Sequence, residues 1–121
     1  MGETQVIEQW SREEIEIRDR LRPADAPPPT VNPAGMSGIE IFNAIFSGDL
    51  QSPPMGEALN FVPILMPHGK AVFQGRPSRR HYNPMGTVHG GWFATLIDSA
   101  VGCAIHTNLP ESFMRTPIRH V

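Results

Sequence analysis

One carboxylate is isolated in the C-terminal third of the chain. Asp98 is the only Asp, Glu, Lys or Arg residue between His81 and Pro110, and the residues around it are mostly apolar. An ionised carboxylate in apolar surroundings is costly unless it is paired or hydrogen-bonded. Two interpretations follow. Asp98 is either a structural residue, bonded to backbone or hydroxyl groups or located in a solvated spot at a helix edge, or it is a partly desolvated general base or nucleophile.

Two consecutive glycines, Gly90 and Gly91, precede the apolar run that contains Asp98. Glycine weakens a helix, yet a helix is predicted to begin here. Its first turn would present unpaired N–H groups and a partial positive charge, which suit a substrate carbonyl. The glycines therefore either uncover this end for a substrate or allow a tight turn or a close helix–sheet contact. Asn83 and His89 would add donors there or orient the loop, and capping is an equal alternative for His89.

Other side chains give weaker indications of chemistry. The five histidines lack the compact spacing of a zinc site, so we expect no metal ion. A triad of Ser99 with a histidine and an aspartate stays open, although the chain has no G-x-S-x-G segment. Cys103 falls on the apolar side of the predicted helix, and we expect it in the core.

The element that must position Asp98 is a helix predicted over residues 89–107. At about 100° per residue, its apolar side chains cover more than half of the circumference. Small or uncharged residues fill most of the remainder. A helix of this composition is usually buried, so we expect a sheet to wrap it.

Upstream patterns predict a helix and a β-hairpin. Apolar residues recur at helical spacing over residues 37–47, and Gly48 is a suitable C-cap. The following S-P-P-M-G-E segment is expected to be a turn-rich connection. Two apolar stretches flank P-H-G-K, which predicts a hairpin with Gly69 in its turn and Pro63 at an edge or bulge.

The N-terminal third is expected to be an addition to the main domain. Residues 11–22 predict a short charged helix in which Ser11 and Glu14 have capping-box spacing. A proline-rich linker follows. We therefore divide the chain into an N-terminal helix and linker at 1–36 and a main domain at 37–121.

Composition limits the classes of function. The 121 residues suffice for one domain, and the net charge of −2 without a large basic cluster argues against nucleic-acid binding. One cysteine excludes an internal disulfide. No apolar run reaches the roughly 18 residues of a membrane span, and no signal peptide is evident. We expect a cytoplasmic protein that does not enter a membrane.

The segment HYNPMGTVHGGWFATLIDSAVGCAIHTNLP strongly resembles the signature segment of PaaI-like (phenylacetate-pathway) hotdog-fold acyl-CoA thioesterases. The resemblance covers roughly residues 37–111. It implies an α+β hotdog fold, in which a curved antiparallel sheet wraps a long central helix. It also implies a homodimer or homotetramer, with the active site between subunits.

The resemblance implies a role for each residue of the motif. Asp98 would be the nucleophile or general base in hydrolysis of an acyl-CoA thioester to a free acid and CoA. Gly90 would donate a backbone N–H to the thioester carbonyl, from the opposite subunit. Asn83 would orient substrate or water, and His89 would adjoin the site. Neither a cofactor nor a metal is implied, since CoA is part of the substrate.

The resemblance ends near Glu111. The thioesterases continue with further long strands, whereas this sequence ends in SFMRTPIRHV, for which we expect at most a short third strand at 112–119. We therefore expect an incomplete, truncated hotdog domain. The alternative function is a non-catalytic remnant that binds acyl-CoA or pairs with another subunit.

Overall fold

The protein has an α+β fold, as the sequence predicts. The structure is a computed structural model that describes residues 2–111. Its main elements in chain order are α1 (Glu3–Arg20), α2 (Gly38–Phe46), α3 (Pro54–Leu59), β1 (Phe61–Leu65), β2 (Val72–Gly75) and α4 (Gly90–His106). Within the described residues, β1 and β2 form a two-stranded antiparallel sheet, against which α1, α3 and α4 pack.

The predicted hairpin is confirmed, with Gly69 in its turn and Pro63 beside a bulge. Phe61 pairs with Gly75 at the open end, and the register shifts between Pro63 and Leu65. Proline has no N–H to donate to a sheet, so a bulge is a suitable place for it. Gly69 lies in the turn with a φ of +74°, a conformation that glycine adopts without strain.

The helix predicted at 37–47 is also confirmed. The Ser37 Oγ accepts a hydrogen bond from the Glu40 N–H at 3.4 Å, and the Glu40 carboxylate accepts one from the Ser37 N–H at 2.7 Å. Gly48 follows the helix with a φ of +82°. The turn-rich connection after it contains a short helix instead, α3, because Pro54 is well suited to the first turn of a helix.

Helix α1 begins earlier than the sequence predicts. It starts at Glu3, so Ser11 and Glu14 lie inside the helix and form no capping box at its start. The Glu14 side chain is instead buried, with 1% of its surface exposed. The capping-box spacing at these positions therefore does not mark a helix terminus.

Glu14 joins α1 to the hairpin. Its carboxylate accepts hydrogen bonds from the Arg76 Nε at 2.8 Å, the Gln74 Nε2 at 2.8 Å and the Arg18 Nε at 2.9 Å. Burial by itself raises the pKa of Glu14, but the bonds from Arg76 and Arg18 outweigh it, and the pKa lies below its ordinary value. Helix α1 is therefore hydrogen-bonded to β2.

The lowered pKa of Glu14 predicts an acid-sensitive contribution to stability. Because its folded-state pKa lies below its unfolded-state value, this contribution is present above the unfolded-state value and is lost as the pH falls through the folded-state pKa. We expect Glu14→Gln to lower the free energy of unfolding at about pH 7. The difference in this free energy between the variant and the wild type should be smaller at about pH 3. Urea unfolding at both pH values measures this.

The matched control is Glu16→Gln, at an exposed position of the same helix. We expect it to keep the pH dependence of the wild type. A difference between wild type and Glu14→Gln that stays constant from neutral to acid pH would contradict the proposed role of the carboxylate.

Helix α4 is much more exposed than its composition predicts. Trp92 is its only buried residue, and the side chains of Phe93 (49% exposed) and Ile97 (61% exposed) are open to solvent. The exposed stripe continues along the same face through Val101 and Ile105. The hairpin contributes too few strands to wrap α4 within residues 2–111. The strand expected at 112–119 lies outside the described residues.

The described helices include none with the length and apolar content needed to cross a membrane.

Candidate functional site

Trp92 fixes the start of α4. Its side chain is 5% exposed, and its Nε1 donates a hydrogen bond to the Leu59 carbonyl at 2.7 Å. The indole ring lies so close to Gly75 that a Cβ there would be 2.8 Å from it. The first turn of α4 is therefore held against the end of α3 and the end of β2.

The two glycines at this helix start serve different purposes. The His89 Nδ1 accepts a hydrogen bond from the Gly91 N–H at 2.7 Å, so His89 is the N-cap. A Cβ on Gly91 would lie 2.9 Å from that nitrogen, whereas a Cβ on Gly90 would meet nothing within 4 Å. The Gly90 N–H has no acceptor within residues 2–111. Gly91 thus accommodates the cap, and Gly90 presents a free donor.

The His89 cap predicts a measurable loss of stability. We expect His89→Ala to lower the free energy of unfolding by about 1 kcal/mol, because the Gly91 N–H loses its acceptor. Gly91→Ala should produce a similar loss by displacing the ring, and the double variant should lose little more than either single one. Urea unfolding of the three variants measures this. Fully additive losses would show that Gly91 does not act through the cap.

Asn83 organises the loop that leads to this helix. Its Oδ1 accepts hydrogen bonds from the N–H groups of Met85 at 2.9 Å and Thr87 at 3.3 Å, and its Nδ2 donates to the Thr87 Oγ1 at 2.9 Å. Gly86 completes the turn with a φ of +80°. The structure therefore agrees with the loop-orienting interpretation of Asn83, whose side chain is engaged within its own loop.

Asp98 lies in an open groove between α2 and α4. The groove has a volume of about 340 Å³ and is lined by Gly38, Ile41, Phe42, Asp98, Ser99, Gly102, Cys103 and His106. Asp98 is exposed, and its carboxylate has no hydrogen bond or ion pair within residues 2–111. The exposure of Asp98 agrees with the structural alternative of a solvated position at a helix edge. The expected desolvation is not observed within residues 2–111, because the hairpin does not extend over this part of α4.

Along helix α4, the groups that the motif predicts to act together lie far apart. Gly90 and Asp98 are eight residues apart on one helix, a rise of about 12 Å. Ser99 and His106 are seven residues apart, a rise of about 10 Å, and the His106 Nδ1 donates to the Gly102 carbonyl at 3.1 Å. One small carbonyl group therefore cannot contact both Gly90 and Asp98 of one chain, and Ser99 and His106 form no intrachain triad.

Cys103 borders the groove but is poorly suited to be a nucleophile. Burial raises the pKa of its thiol, and the negative charge of Asp98 raises it further. A thiol must lose its proton to become an effective nucleophile. Cys103 is therefore part of the lining, in partial agreement with the core position that the sequence predicts.

His81 is a structural residue that sequence patterns do not identify. It is buried, its Nδ1 accepts a hydrogen bond from the Ser78 N–H at 3.0 Å, and its Nε2 donates to the Ala58 carbonyl at 2.9 Å. Both ring nitrogens are thus occupied. The described residues contain no group of three or more His, Cys, Asp or Glu side chains that could hold a metal ion.

A larger apolar cavity adjoins the Asp98 groove. Its volume is about 390 Å³, and it shares Phe42, Ser99 and Cys103 with the groove. Its remaining lining comes from α2, α3, the hairpin, and Arg18, Leu21 and Pro23 near the end of α1. No sequence signal marks this cavity, because its walls come from segments far apart in the chain.

The chain shows no significant match to protein-family models, to curated proteins or to solved structures. The roles of Asp98, Gly90, Asn83 and His89 in catalysis therefore stay predictions. Their positions along α4 and its preceding loop are the structural basis for the proposal below.

Proposed function

We propose that the protein is an acyl-CoA thioesterase and that its fold is a hotdog domain with α4 as the central helix. One observation carries the proposal: the Asp98 carboxylate is exposed in a groove, has no partner within residues 2–111, and adjoins an apolar cavity. A carboxylate without a partner is available to act on a ligand, and the cavity offers space for an acyl group. Such an enzyme would act in the cytoplasm, as the composition predicts.

The proposed reaction uses Asp98 as a general base. The carboxylate removes a proton from water, and the water oxygen attacks the thioester carbonyl carbon. The C–S bond then breaks, and the CoA sulfur takes the proton, which leaves a free acid and CoA. Alternatively, Asp98 attacks the thioester carbonyl carbon directly, CoA leaves, and an acyl-aspartyl anhydride forms. Water then hydrolyses the anhydride, which gives the same free acid and restores the Asp98 carboxylate.

A second copy of the chain would complete the site. The carbonyl oxygen needs a donor as negative charge develops on it, and the free Gly90 N–H is suited to this role. Because Gly90 and Asp98 of one chain are about 12 Å apart along α4, the donor would come from another subunit. His89 and Asn83 would hold this helix start and its loop in place. We accordingly propose a homodimer or homotetramer.

The test is hydrolysis of a panel of aliphatic and aryl acyl-CoA thioesters by the purified chain, with release of the CoA thiol as the readout. We expect turnover by the wild type and its loss in Asp98→Asn. Light scattering on the same sample measures the number of subunits. Equal rates for wild type and Asp98→Asn would contradict the proposal.

The exposed stripe on α4 favours a second candidate function. Phe93, Ile97, Val101 and Ile105 present a continuous apolar face, which is a common feature of surfaces that bind another protein. A non-catalytic protein that binds acyl-CoA or pairs with another subunit would have this property too. Binding of a non-hydrolysable acyl-CoA analogue without turnover of any thioester would favour this candidate.

A further inference from the structure

Helix α1 and the residues directly after it contribute to the wall of the apolar cavity. Arg18, Leu21 and Pro23 all line it, and we name these three residues the α1 wall. They lie outside residues 37–111, the part of the chain that carries the thioesterase resemblance. The shape of this cavity therefore depends on a segment to which the resemblance assigns no role.

The α1 wall is held in a defined position. Arg18 donates its Nε–H to Glu14, and Glu14 in turn binds Gln74 and Arg76 of the hairpin. Ile17, the neighbour of Arg18, is also buried. A wall fixed to the hairpin at this point can limit the size of a ligand, whereas a loose helix would move aside.

The cavity is connected with the candidate site through shared residues. Phe42, Ser99 and Cys103 line both the cavity and the groove that contains Asp98. In the proposed reaction, a thioester whose carbonyl lies at Asp98 would extend its acyl group past Ser99 and Cys103 into the adjacent cavity. Each methylene buried there should raise affinity about fourfold.

The cavity volume distinguishes acyl groups by size. A volume of about 390 Å³ lies in the lower part of the range of small-molecule sites, about 300–1,000 Å³. A phenyl ring of about six carbons is smaller than an aliphatic chain of eight to twelve carbons and would leave more of this space unfilled. Resting on the proposed function, we propose that the cavity holds a straight aliphatic acyl chain of roughly eight to twelve carbons and that the α1 wall sets the maximum length.

Binding of free fatty acids tests this inference without any need for hydrolysis. Titration calorimetry of the full chain with saturated acids of roughly four to sixteen carbons, and with phenylacetate, gives the affinity as a function of length. We expect affinity to rise about fourfold per methylene, to reach a maximum between about eight and twelve carbons, and to fall beyond it. Phenylacetate should bind at least about tenfold more weakly than the best aliphatic acid.

Substitutions of Leu21 change the wall in opposite directions. Leu21→Ala should shift the maximum toward longer acids by about two carbons, and Leu21→Trp should shift it toward shorter acids by at least as much. The matched controls are Leu65→Ala and Leu65→Trp, because Leu65 is 49% exposed and does not line the cavity. Both controls should keep the profile of the wild type. Leu21 is itself partly exposed, so its variants are expected to fold, and circular dichroism checks this.

The outcomes separate this inference from the proposed function. A flat length profile in the wild type, no binding at any length, or an unchanged maximum in both folded Leu21 variants would overturn the inference even if the protein hydrolyses acyl-CoA. If the profile behaves as expected and no acyl-CoA is hydrolysed, the thioesterase proposal fails and the aliphatic-chain site stands.

Discussion

Replacing Asp98 with Asn is expected to lower kcat/KM for the best acyl-CoA substrate by about 10²- to 10⁴-fold. The amide keeps the size of the side chain but cannot take a proton from water. The same change should alter the free energy of unfolding by no more than about 0.5 kcal/mol, because the exposed carboxylate has no hydrogen bond or ion pair within residues 2–111. Steady-state kinetics and urea unfolding on one preparation measure both effects.

Measuring activity and stability separately distinguishes a catalytic role of Asp98 from a structural one. Asp19→Asn, at an exposed position of α1, is the matched control and should change neither activity nor stability. A large loss of stability in Asp98→Asn would support a structural role for the carboxylate. Activity close to wild type would show that Asp98 is neither base nor nucleophile.

Gly38→Ala is expected to be the most destabilising small substitution among those considered. A Cβ at this position would lie 1.7 Å from the carbonyl oxygen of His106 and 2.7 Å from its carbonyl carbon. These are backbone atoms at the end of α4, so no side-chain rotation relieves the overlap. We expect α2 and the end of α4 to separate, with a loss of about 2–4 kcal/mol in the free energy of unfolding.

The contact at Gly38 also includes a hydrogen bond that the substitution would weaken. The Gly38 N–H donates to the Leu109 carbonyl at 3.1 Å, so α2 begins against the residues that follow α4. Because the Asp98 groove lies between these helices, the same substitution should change its width. Thermal and urea unfolding measure the stability loss.

Gly102→Ala supplies the matched control for this prediction. Gly102 lies inside α4, and a Cβ there would meet nothing within 4 Å. Alanine favours a helix over glycine by about 0.5–1 kcal/mol, so this variant should be more stable than the wild type. Equal stability of Gly38→Ala and the wild type would contradict the close approach of α2 and α4.

Local patterns were sufficient to predict several elements. Apolar spacing and Gly48 identified α2, and Gly69 identified the turn of the hairpin. The apolar run after His89 identified α4 to within a residue or two at each end. These features depend on backbone preferences and on contacts between residues close in sequence, which a linear pattern records.

Local patterns failed where contacts between distant residues decided the outcome. Glu14 resembles a capping residue in sequence, but it bonds to Gln74 and Arg76, sixty or more residues away. The spacing of neighbouring residues does not predict such contacts.

By itself the sequence determined the α+β class, the placement of Asp98 on a helix, and the glycine pair at the start of that helix. Only the tertiary structure decided that Gly91 accommodates the His89 cap while the Gly90 N–H has no acceptor within residues 2–111, and that Asp98 is exposed in a groove. It also decided that the end of α1 lines the neighbouring cavity. The physical reason is that burial, close approach and cavity shape depend on the packing of residues that are distant in the chain, whereas helix and turn preferences act locally.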